Sequence, residues 1–135
     1  AAAVADYRPV EVASHKLTKE NGGVPAIELV ENPDIIARLA AARSEGQTVV
    51  AFAAETPSEE GGEQEMLARA RRKRERKGVD MLVVNEVGWD RGFEAADNEV
   101  RVIGPDGGVI VTASGSKHEV AAEIWDAVVA VRSHP

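Results

Sequence analysis

The segment Thr48–Thr56, TVVAFAAET, decides how this chain folds. Its apolar part, Val49–Phe52, begins with two β-branched residues, and the chain becomes polar at Glu55. A short apolar run of this kind, followed by residues that favour turns, predicts a buried β-strand.

Two further segments have the same character, namely Ala1–Asp6 (AAAVAD) and Met81–Asn85 (MLVVN). Because each is apolar at both odd and even positions, both faces of each strand are predicted to be buried, as in a parallel sheet covered by helices. Ligands of such sheets bind beyond the carboxyl ends of the strands. We therefore expect Asp6, Glu55 and Asn85 to gather along one edge.

The composition indicates one globular domain. A length of 135 residues suits a single domain, and a hydrophobic content of 44% with a charged content of 29% is ordinary for a folded protein. The net charge of −7 argues against general affinity for nucleic acid or for an anionic membrane surface. The absence of cysteine excludes disulfides, thiolate catalysis and cysteine-based zinc sites.

The sequence contains neither a signal peptide nor an apolar run long enough to span a bilayer, which favours a cytoplasmic location. The chain opens with AAAVADYRP, without an initiating Met and directly in a predicted buried strand. This opening predicts a fragment or a cleaved chain.

The residues Asn32-Pro33-Asp34 predict the start of a helix, with Asn32 as N-cap and Pro33 at the first helical position. Gly46 is predicted to end this helix. The free backbone amides at such a start can bind an anion. A core-facing stripe is expected at helical spacing, formed by Ile35, Ile36, Leu39 and Ala42.

A second helix is predicted over Glu63–Lys77, with Gly78 as its C-terminal stop. Seven of the sixteen Lys and Arg residues lie between Arg69 and Lys77, which gives either a solvated helix face or a surface for an anionic ligand. Met66, Ala70, Lys73 and Lys77 share one stripe of this helix. Its two lysines either extend past the apolar surface into solvent or bind a ligand.

An antiparallel excursion from the main sheet is expected near the N-terminus. Tyr7–Pro9 is predicted to end the first strand, because proline cannot donate a ladder hydrogen bond. Val10–Glu20 and Ala26–Glu31 are predicted to form the excursion, joined by the flexible Asn21-Gly22-Gly23 turn.

The C-terminal third predicts a β-hairpin followed by a helix. Glu99–Gly104 and Val109–Ala113 alternate in polarity on either side of the turn Pro105–Gly108. Ser116 is predicted to cap a helix over Lys117–Arg132. The side of this helix that packs on the sheet is expected to carry Val120, Ala121, Ile124, Trp125 and Val128.

Local motifs exclude several kinds of site. The sequence has no G-x-G-x-x-G and no P-loop, and His15, His118 and His134 are scattered without metal-binding spacing. Ser14 beside His15 does not make a catalytic triad, since that site depends on spatial geometry. From spacing alone, an enzyme and a nucleotide-binding regulatory module fit equally well.

The order of several segments carries a more specific signal. The segments are, in order, AAVADYRP (Ala2–Pro9), Lys16-Leu17-Thr18-Lys19, Asn32–Ile35, FAAET (Phe52–Thr56), the basic helix with Lys77–Asp80, Asn85, and Phe93 with Asn98. This ordered series resembles phosphopantothenate–cysteine ligase. This ligase is the synthetase half of the bacterial bifunctional coenzyme A biosynthesis protein. The resemblance extends over nearly the whole chain and identifies residues 1–135 as the C-terminal, CTP-binding part of the ligase domain.

The resemblance implies an α/β fold with a Rossmann-like parallel sheet flanked by helices, to which an antiparallel excursion and a C-terminal hairpin plus helix are added. It also implies ligation of 4′-phosphopantothenate with L-cysteine, driven by CTP through an acyl-cytidylate and releasing CMP and pyrophosphate. Mg²⁺ is expected to accompany CTP, because amides, lysines and a divalent cation offset crowded negative charge. FMN would belong only to the family's N-terminal decarboxylase domain.

The family's nucleotide contacts match specific positions of this chain. Lys16 matches a flap lysine over the triphosphate and is the residue expected to act in catalysis, although Thr18 replaces a lysine that the flap motif usually has. Family segments that precede the first residue of this chain, including an Asn tied to the intermediate, are expected to be missing. The matched nucleotide-binding positions are Ala1, Ala2, Asp6, Lys16, Pro33, Asp34, Ile35, Ile36, Phe52, Lys73 and Lys77.

The resemblance further implies a homodimer and a functional connection to the N-terminal portion of the same polypeptide. An alternative of another class is a non-catalytic nucleotide-binding regulatory or scaffold module with the same fold. Thr18 and the missing segment favour that alternative, whereas the ordered motif series favours the ligase.

Overall fold

A computed structural model describes residues 4–18, 26–57, 61–87 and 98–133. The chain divides into two compact units, Ala1–Ile35 and Ile36–Pro135.

The first unit contains a short antiparallel pair of strands. Strand β1, Tyr7–Pro9, pairs with strand β2, Leu29–Glu31, with Arg8 opposite Val30. The prediction that Tyr7–Pro9 ends a strand is therefore wrong. Pro9 is tolerated because it lies at the end of a two-stranded ladder, and the next bond runs from the Val10 amide to the Glu28 carbonyl at 2.9 Å.

The predicted antiparallel excursion thus exists, but it is formed by other residues. The described part of Val10–Glu20 contains no strand, and only the end of Ala26–Glu31 forms one. Val4 and Ala5 are not in a strand, contrary to the prediction for Ala1–Ala5, and the start of that segment lies outside the described residues.

The second unit is built on a sheet whose strands lie in the order β3-β4-β5-β6. Strands β3 and β4 are parallel, which confirms the prediction for these two segments, and the remaining pairs are antiparallel. The turn Pro105–Gly108 joins β5 to β6 as predicted. The strands are β3 Val50–Glu55, β4 Met81–Glu86, β5 Asn98–Ile103 and β6 Val109–Gly115.

Helices cover the two faces of this sheet. Helices α1, Ile35–Ala41, and α2, Gly62–Lys77, contribute to one core cluster, and helix α3, Lys117–Ser133, contributes to the other. The first cluster contains Ala40, Ala51, Ala53, Ala70, Val79, Leu82, Val84 and Ile103. The second contains Met81, Val83, Val100, Val102, Ala113, Val120, Ala127 and Val128. The architecture is a mixed parallel and antiparallel sheet flanked by helices.

The two parallel strands differ in how their faces are buried. Met81–Val84 of β4 is buried on both faces, as predicted. In β3 only one face is buried, because Ala51, Ala53 and Glu55 are covered while Phe52 is 68% exposed. The prediction that β3 is buried on both faces is wrong, since α3 packs mainly over β5 and β6 rather than over β3.

Helix α1 departs from the sequence prediction at both ends. It begins at Ile35, so Pro33 is not its first helical residue, and it ends at Ala41, well before Gly46. Ala40 is the buried residue of this helix, whereas Leu39 is 56% exposed. The predicted stripe therefore faces the core only in part.

The other helix ends follow their predicted chemistry. Gly78 adopts the left-handed conformation, with φ 66°, that ends α2. At α3, the Glu119 amide donates to Ser116 Oγ at 3.3 Å and the Ser116 amide donates to Glu119 Oε2 at 2.9 Å, which forms a capping box. Trp125 is 67% exposed and Ala121 is exposed as well, so the predicted packing of these two residues on the sheet is wrong.

Candidate functional site

The carboxyl ends of the two parallel strands lie side by side. Ala54 is in register with Asn85, and Glu55 is in register with Glu86. Glu55 and Asn85 thus share one edge of the sheet, as predicted. Asp6, the third residue expected there, belongs to the first unit.

Glu55 is a buried carboxylate with two cationic partners. Its side chain is 10% exposed and forms an ion pair with Lys73. Arg69 Nε lies 3.5 Å from Glu55 Oε2, and a terminal nitrogen of Arg69 donates to the Thr56 carbonyl at 2.7 Å. Arg69 also pairs with Glu65 one turn earlier in α2. Arg69 and Lys73, two of the seven basic residues between Arg69 and Lys77, are therefore held at the end of β3.

This arrangement explains the position of Lys73 on the apolar stripe. Met66 and Ala70 of the same stripe are fully buried, so the side chain of Lys73 starts near the core. Its ammonium is placed beside Glu55, and the side chain remains 31% exposed. A buried partner contributed by β3 therefore accounts for the lysine, and the sequence spacing gave no sign of it.

A second ionic cluster lies around Arg101 of β5. Its guanidinium contacts Glu63 of α2, Glu99 at 3.1 Å and Glu86 at 3.3 Å. Burial of the side chain opposes the charge, but these three carboxylates raise the pKa of Arg101 above its usual value. Glu86 therefore pairs with Arg101, whereas Glu55 pairs with Lys73 and Arg69.

Phe52 lies on the opposite face of β3 from Glu55, because the two residues are three positions apart in a strand. A ligand that contacts both Phe52 and Lys73 must therefore reach both faces of this strand. Helix α2 is continuous from Gly62 to Lys77, so Lys77 lies one turn beyond Lys73, at the helix end. The structure does not bring Lys77 to the Glu55 cluster through any break in the helix.

In the first unit, Asn32 joins the two segments that carry candidate residues. Its amide nitrogen Nδ2 donates to the Ala5 carbonyl at 2.8 Å, and its backbone N–H donates to the Asp6 carbonyl at 2.7 Å. Its Oδ1 accepts from Arg8 at 3.0 Å. Because its side chain makes these long-range bonds, Asn32 ties Asp6 to the segment beginning at Pro33 and does not fit the N-cap role predicted for it.

The remaining candidate positions are distributed along the chain. Lys16 is exposed in a segment without regular secondary structure, and the predicted hinge at Gly22-Gly23 lies outside the described residues, as do Ala1 and Ala2. Pro33 and Asp34 are exposed and precede α1. Ile35 is 46% exposed, whereas Ile36 packs against the first core cluster.

Two kinds of site are missing from the part of the chain that the structure describes. In residues 4–18, 26–57, 61–87 and 98–133, no three His, Asp or Glu side chains lie close enough together to hold a metal ion. Within the same ranges, no helix has the length and apolar character needed to cross a membrane.

Comparison with protein families gives one match over almost the whole chain. Residues 1–131 match the model of the DNA/pantothenate metabolism flavoprotein C-terminal domain. The chain belongs to this family.

Similar proteins in the family are named coenzyme A biosynthesis bifunctional protein CoaBC. The protein from Mycobacterium tuberculosis is 44% identical over 134 residues, and the match covers 96% of this chain and 31% of that protein. The Haemophilus influenzae protein is 35% identical over 128 residues, covering 95% of this chain and 30% of the relative. The chain thus spans about a third of the length of these relatives.

Solved structures agree on the fold. A crystal structure of the C-terminal domain of CoaBC superposes with a TM-score of 0.66 at 29% identity and covers 99% of this chain and 55% of that domain. The DNA/pantothenate metabolism flavoprotein from Streptococcus pneumoniae gives a TM-score of 0.65 at 16% identity, which supports the fold alone. The mixed sheet with its C-terminal strand and helix is therefore the fold of this family.

Proposed function

We propose that this chain is the CTP-binding part of a phosphopantothenate–cysteine ligase in coenzyme A biosynthesis. The observation that carries the proposal is the family match over residues 1–131, together with relatives that are named for coenzyme A biosynthesis. The proposed reaction joins 4′-phosphopantothenate to L-cysteine and converts CTP to CMP and pyrophosphate.

The charges at the end of β3 suit an anionic nucleotide. Lys73 and Arg69 are held there by Glu55, and the side chain of Lys73 remains partly exposed. An ammonium group has three N–H donors, so Lys73 can contact Glu55 and still donate to a phosphate oxygen. Charge-assisted bonds of this kind stabilise the negative charge that develops on phosphates during nucleotidyl transfer.

Other residues have proposed roles that depend on their exposure. Phe52, which is 68% exposed, offers an apolar surface for the nucleotide on the other face of β3. Lys16 is proposed to neutralise the triphosphate from its exposed segment. Asp6 and the segment Pro33–Ile36 are proposed as further nucleotide contacts, with the Asn32 amide bonded to the Asp6 carbonyl next to Pro33.

We propose that a Mg²⁺ ion arrives with the nucleotide. Mg²⁺ is commonly held by one or two carboxylates together with substrate phosphates, so a complete protein cage is not required. Among the candidate residues, the carboxylates of Asp6 and Asp34 are of the right chemical type. When bound, the ion would neutralise phosphate charge.

The test is a coupled assay of pyrophosphate release, made on the natural polypeptide that contains these 135 residues. Release is expected only when CTP, 4′-phosphopantothenate and cysteine are all present, and ATP is expected to be a poorer substrate than CTP. CTP binding without cysteine-dependent release would support the regulatory module instead. Absence of both would contradict the proposed function.

A further inference from the structure

We propose that Glu55 is a positioning residue, which fixes the ammonium of Lys73 and the guanidinium of Arg69 so that both face an anionic ligand at the end of β3. The proposal rests on the function proposed above, in which that ligand is the triphosphate of CTP. Glu55 is not among the nucleotide-binding positions matched from the sequence.

Burial is the first argument for this role. Glu55 is 9% exposed at a position where the strand continues a row of buried alanines, Ala51 and Ala53. A carboxylate in such a place loses hydration, and it is retained only when cations and hydrogen bonds compensate. An apolar residue would continue the row at lower cost in desolvation, so the charge at this position calls for an explanation beyond packing.

The backbone around Glu55 fixes the carboxylate more firmly than a surface side chain would be fixed. The Glu55 carbonyl accepts from the Val87 amide at 2.9 Å, and Glu55 is in register with Glu86 on the neighbouring strand. Lys73, in contrast, reaches the cluster through a long side chain with several rotatable bonds. Glu55, which is ordered, therefore restricts the flexible side chain of Lys73. This restriction lowers the conformational entropy that Lys73 would lose on binding an anion.

The partners of Glu55 also remain accessible. The side chains of Lys73 and Arg69 are 31% and 32% exposed, whereas the Glu55 side chain is 10% exposed. The carboxylate thus approaches the cations from the inner side. Because the ammonium and the guanidinium each have several donors, the outer side of each can bind phosphate oxygens while the inner contact is kept.

The chain supplies a matched control at the adjacent register position. Glu86 is also a carboxylate at the end of its strand, but it contacts Arg101 and not Lys73. Glu86→Gln removes one negative charge, as Glu55→Gln does, but from the neighbouring strand. A difference between the two variants therefore reports on the link to Lys73 rather than on the local net charge.

The experiment is a calorimetric titration of the natural polypeptide with CTP and, separately, with inorganic tripolyphosphate. We expect Glu55→Gln to weaken binding of both ligands by about fivefold and Lys73→Met by about tenfold, as for loss of a charge-assisted phosphate contact. Because Glu55 acts partly through Lys73, the two losses should not add fully. The double variant Glu55→Gln, Lys73→Met should bind more weakly than Lys73→Met, but by less than the loss of about fivefold in Glu55→Gln alone, with the remaining loss coming from Arg69. Glu55→Asp should restore part of the affinity, and Glu86→Gln should change affinity less than twofold.

Several results would overturn the positioning role. Tighter binding in Glu55→Gln would show that Glu55 competes with the phosphate for Lys73. Losses that add up fully in the double variant, or a loss in Glu86→Gln as large as that in Glu55→Gln, would show a general structural effect. A third outcome separates the two proposals. If the variants change tripolyphosphate binding as expected, but the parent protein binds CTP no more tightly than tripolyphosphate, the positioning role holds and the proposed CTP-dependent function fails.

Discussion

At the residue scale, the two lysine candidates illustrate different relations between charge and fold. Lys73 has a structural partner in Glu55, so its replacement affects both the ion pair and any ligand. Lys16 is exposed in an irregular segment of the first unit, where it has no packing role. Lys16 is therefore the residue at which binding can be separated from stability.

We expect Lys16→Gln to weaken CTP binding or turnover by about tenfold or more, the effect of losing one charge-assisted phosphate contact. The midpoint of thermal unfolding should stay within about one degree of the parent, because exposed substitutions change stability little. Calorimetric titration and thermal denaturation measure the two quantities. The matched control is Lys117→Gln at the exposed start of α3, and a loss of stability in step with activity would assign Lys16 to the fold.

At the scale of elements, the sequence predicted those features that depend on neighbouring residues. Met81–Asn85 was placed correctly because a strand that is apolar on both faces has few alternatives. The end of α2 was placed correctly because Gly78 can adopt a positive φ. Asn32 was misassigned because its side chain bonds to Ala5 and Arg8, which are distant in the sequence.

The candidate site shows the same limit. The family resemblance identified Phe52 and Lys73 as candidates, but it did not show where they lie. The burial pattern of β3 in the structure places Phe52 and Glu55 on opposite faces of the strand. The contact between Glu55 and Lys73 joins residues 18 positions apart through tertiary packing. No local pattern could predict it.

The capping box at α3 gives a prediction about pH. Hydrogen bonds from the Ser116 hydroxyl and backbone amide lower the pKa of Glu119 from its ordinary value of 4.5. Gly115 allows the box to form, since its φ is 130° and an added Cβ would lie 2.8 Å from Glu119 Oε2. Because the folded pKa is lowered, this stabilisation is present above pH 4.5 and is lost as the pH falls through the folded pKa.

We therefore expect Glu119→Gln to be less stable than the parent at neutral pH and to approach the parent as the pH falls below 4.5. Glutamine can still accept the hydrogen bonds, so the comparison isolates the charge. Urea unfolding across this pH range measures the difference. Glu123→Gln, on an exposed position of the same helix, is the control. A difference that does not depend on pH would contradict the assignment.

At the scale of the whole molecule, we expect the protein that contains these residues to form a homodimer. The family resemblance implies a homodimer, and short exposed strands such as β1 and β2 offer edges at which chains can pair. Sedimentation of the natural polypeptide at micromolar concentration would test this proposal. A single species with the mass of one chain would contradict it.

The proposed ligase activity is expected to need residues beyond this chain. This chain spans 31% of the Mycobacterium tuberculosis relative and 55% of the solved C-terminal domain, so residues outside the matched part are available to contribute to the reaction in those proteins. We expect a polypeptide of these 135 residues, produced alone, to fold at least in its second unit but to support no cysteine-dependent pyrophosphate release. Circular dichroism and the coupled assay measure the two properties.

Adding the rest of the ligase domain, taken from the mycobacterial relative as a separate chain or fused to this one, should then restore release. The matched control is the same addition to a Lys16→Gln, Lys73→Met chain, which should remain folded but inactive because the proposed phosphate contacts are gone. Full activity of the 135 residues alone would place all catalytic groups within this chain. In that case the exposed candidates Lys16 and Asp34, with the Glu55 cluster, would be the first residues to replace.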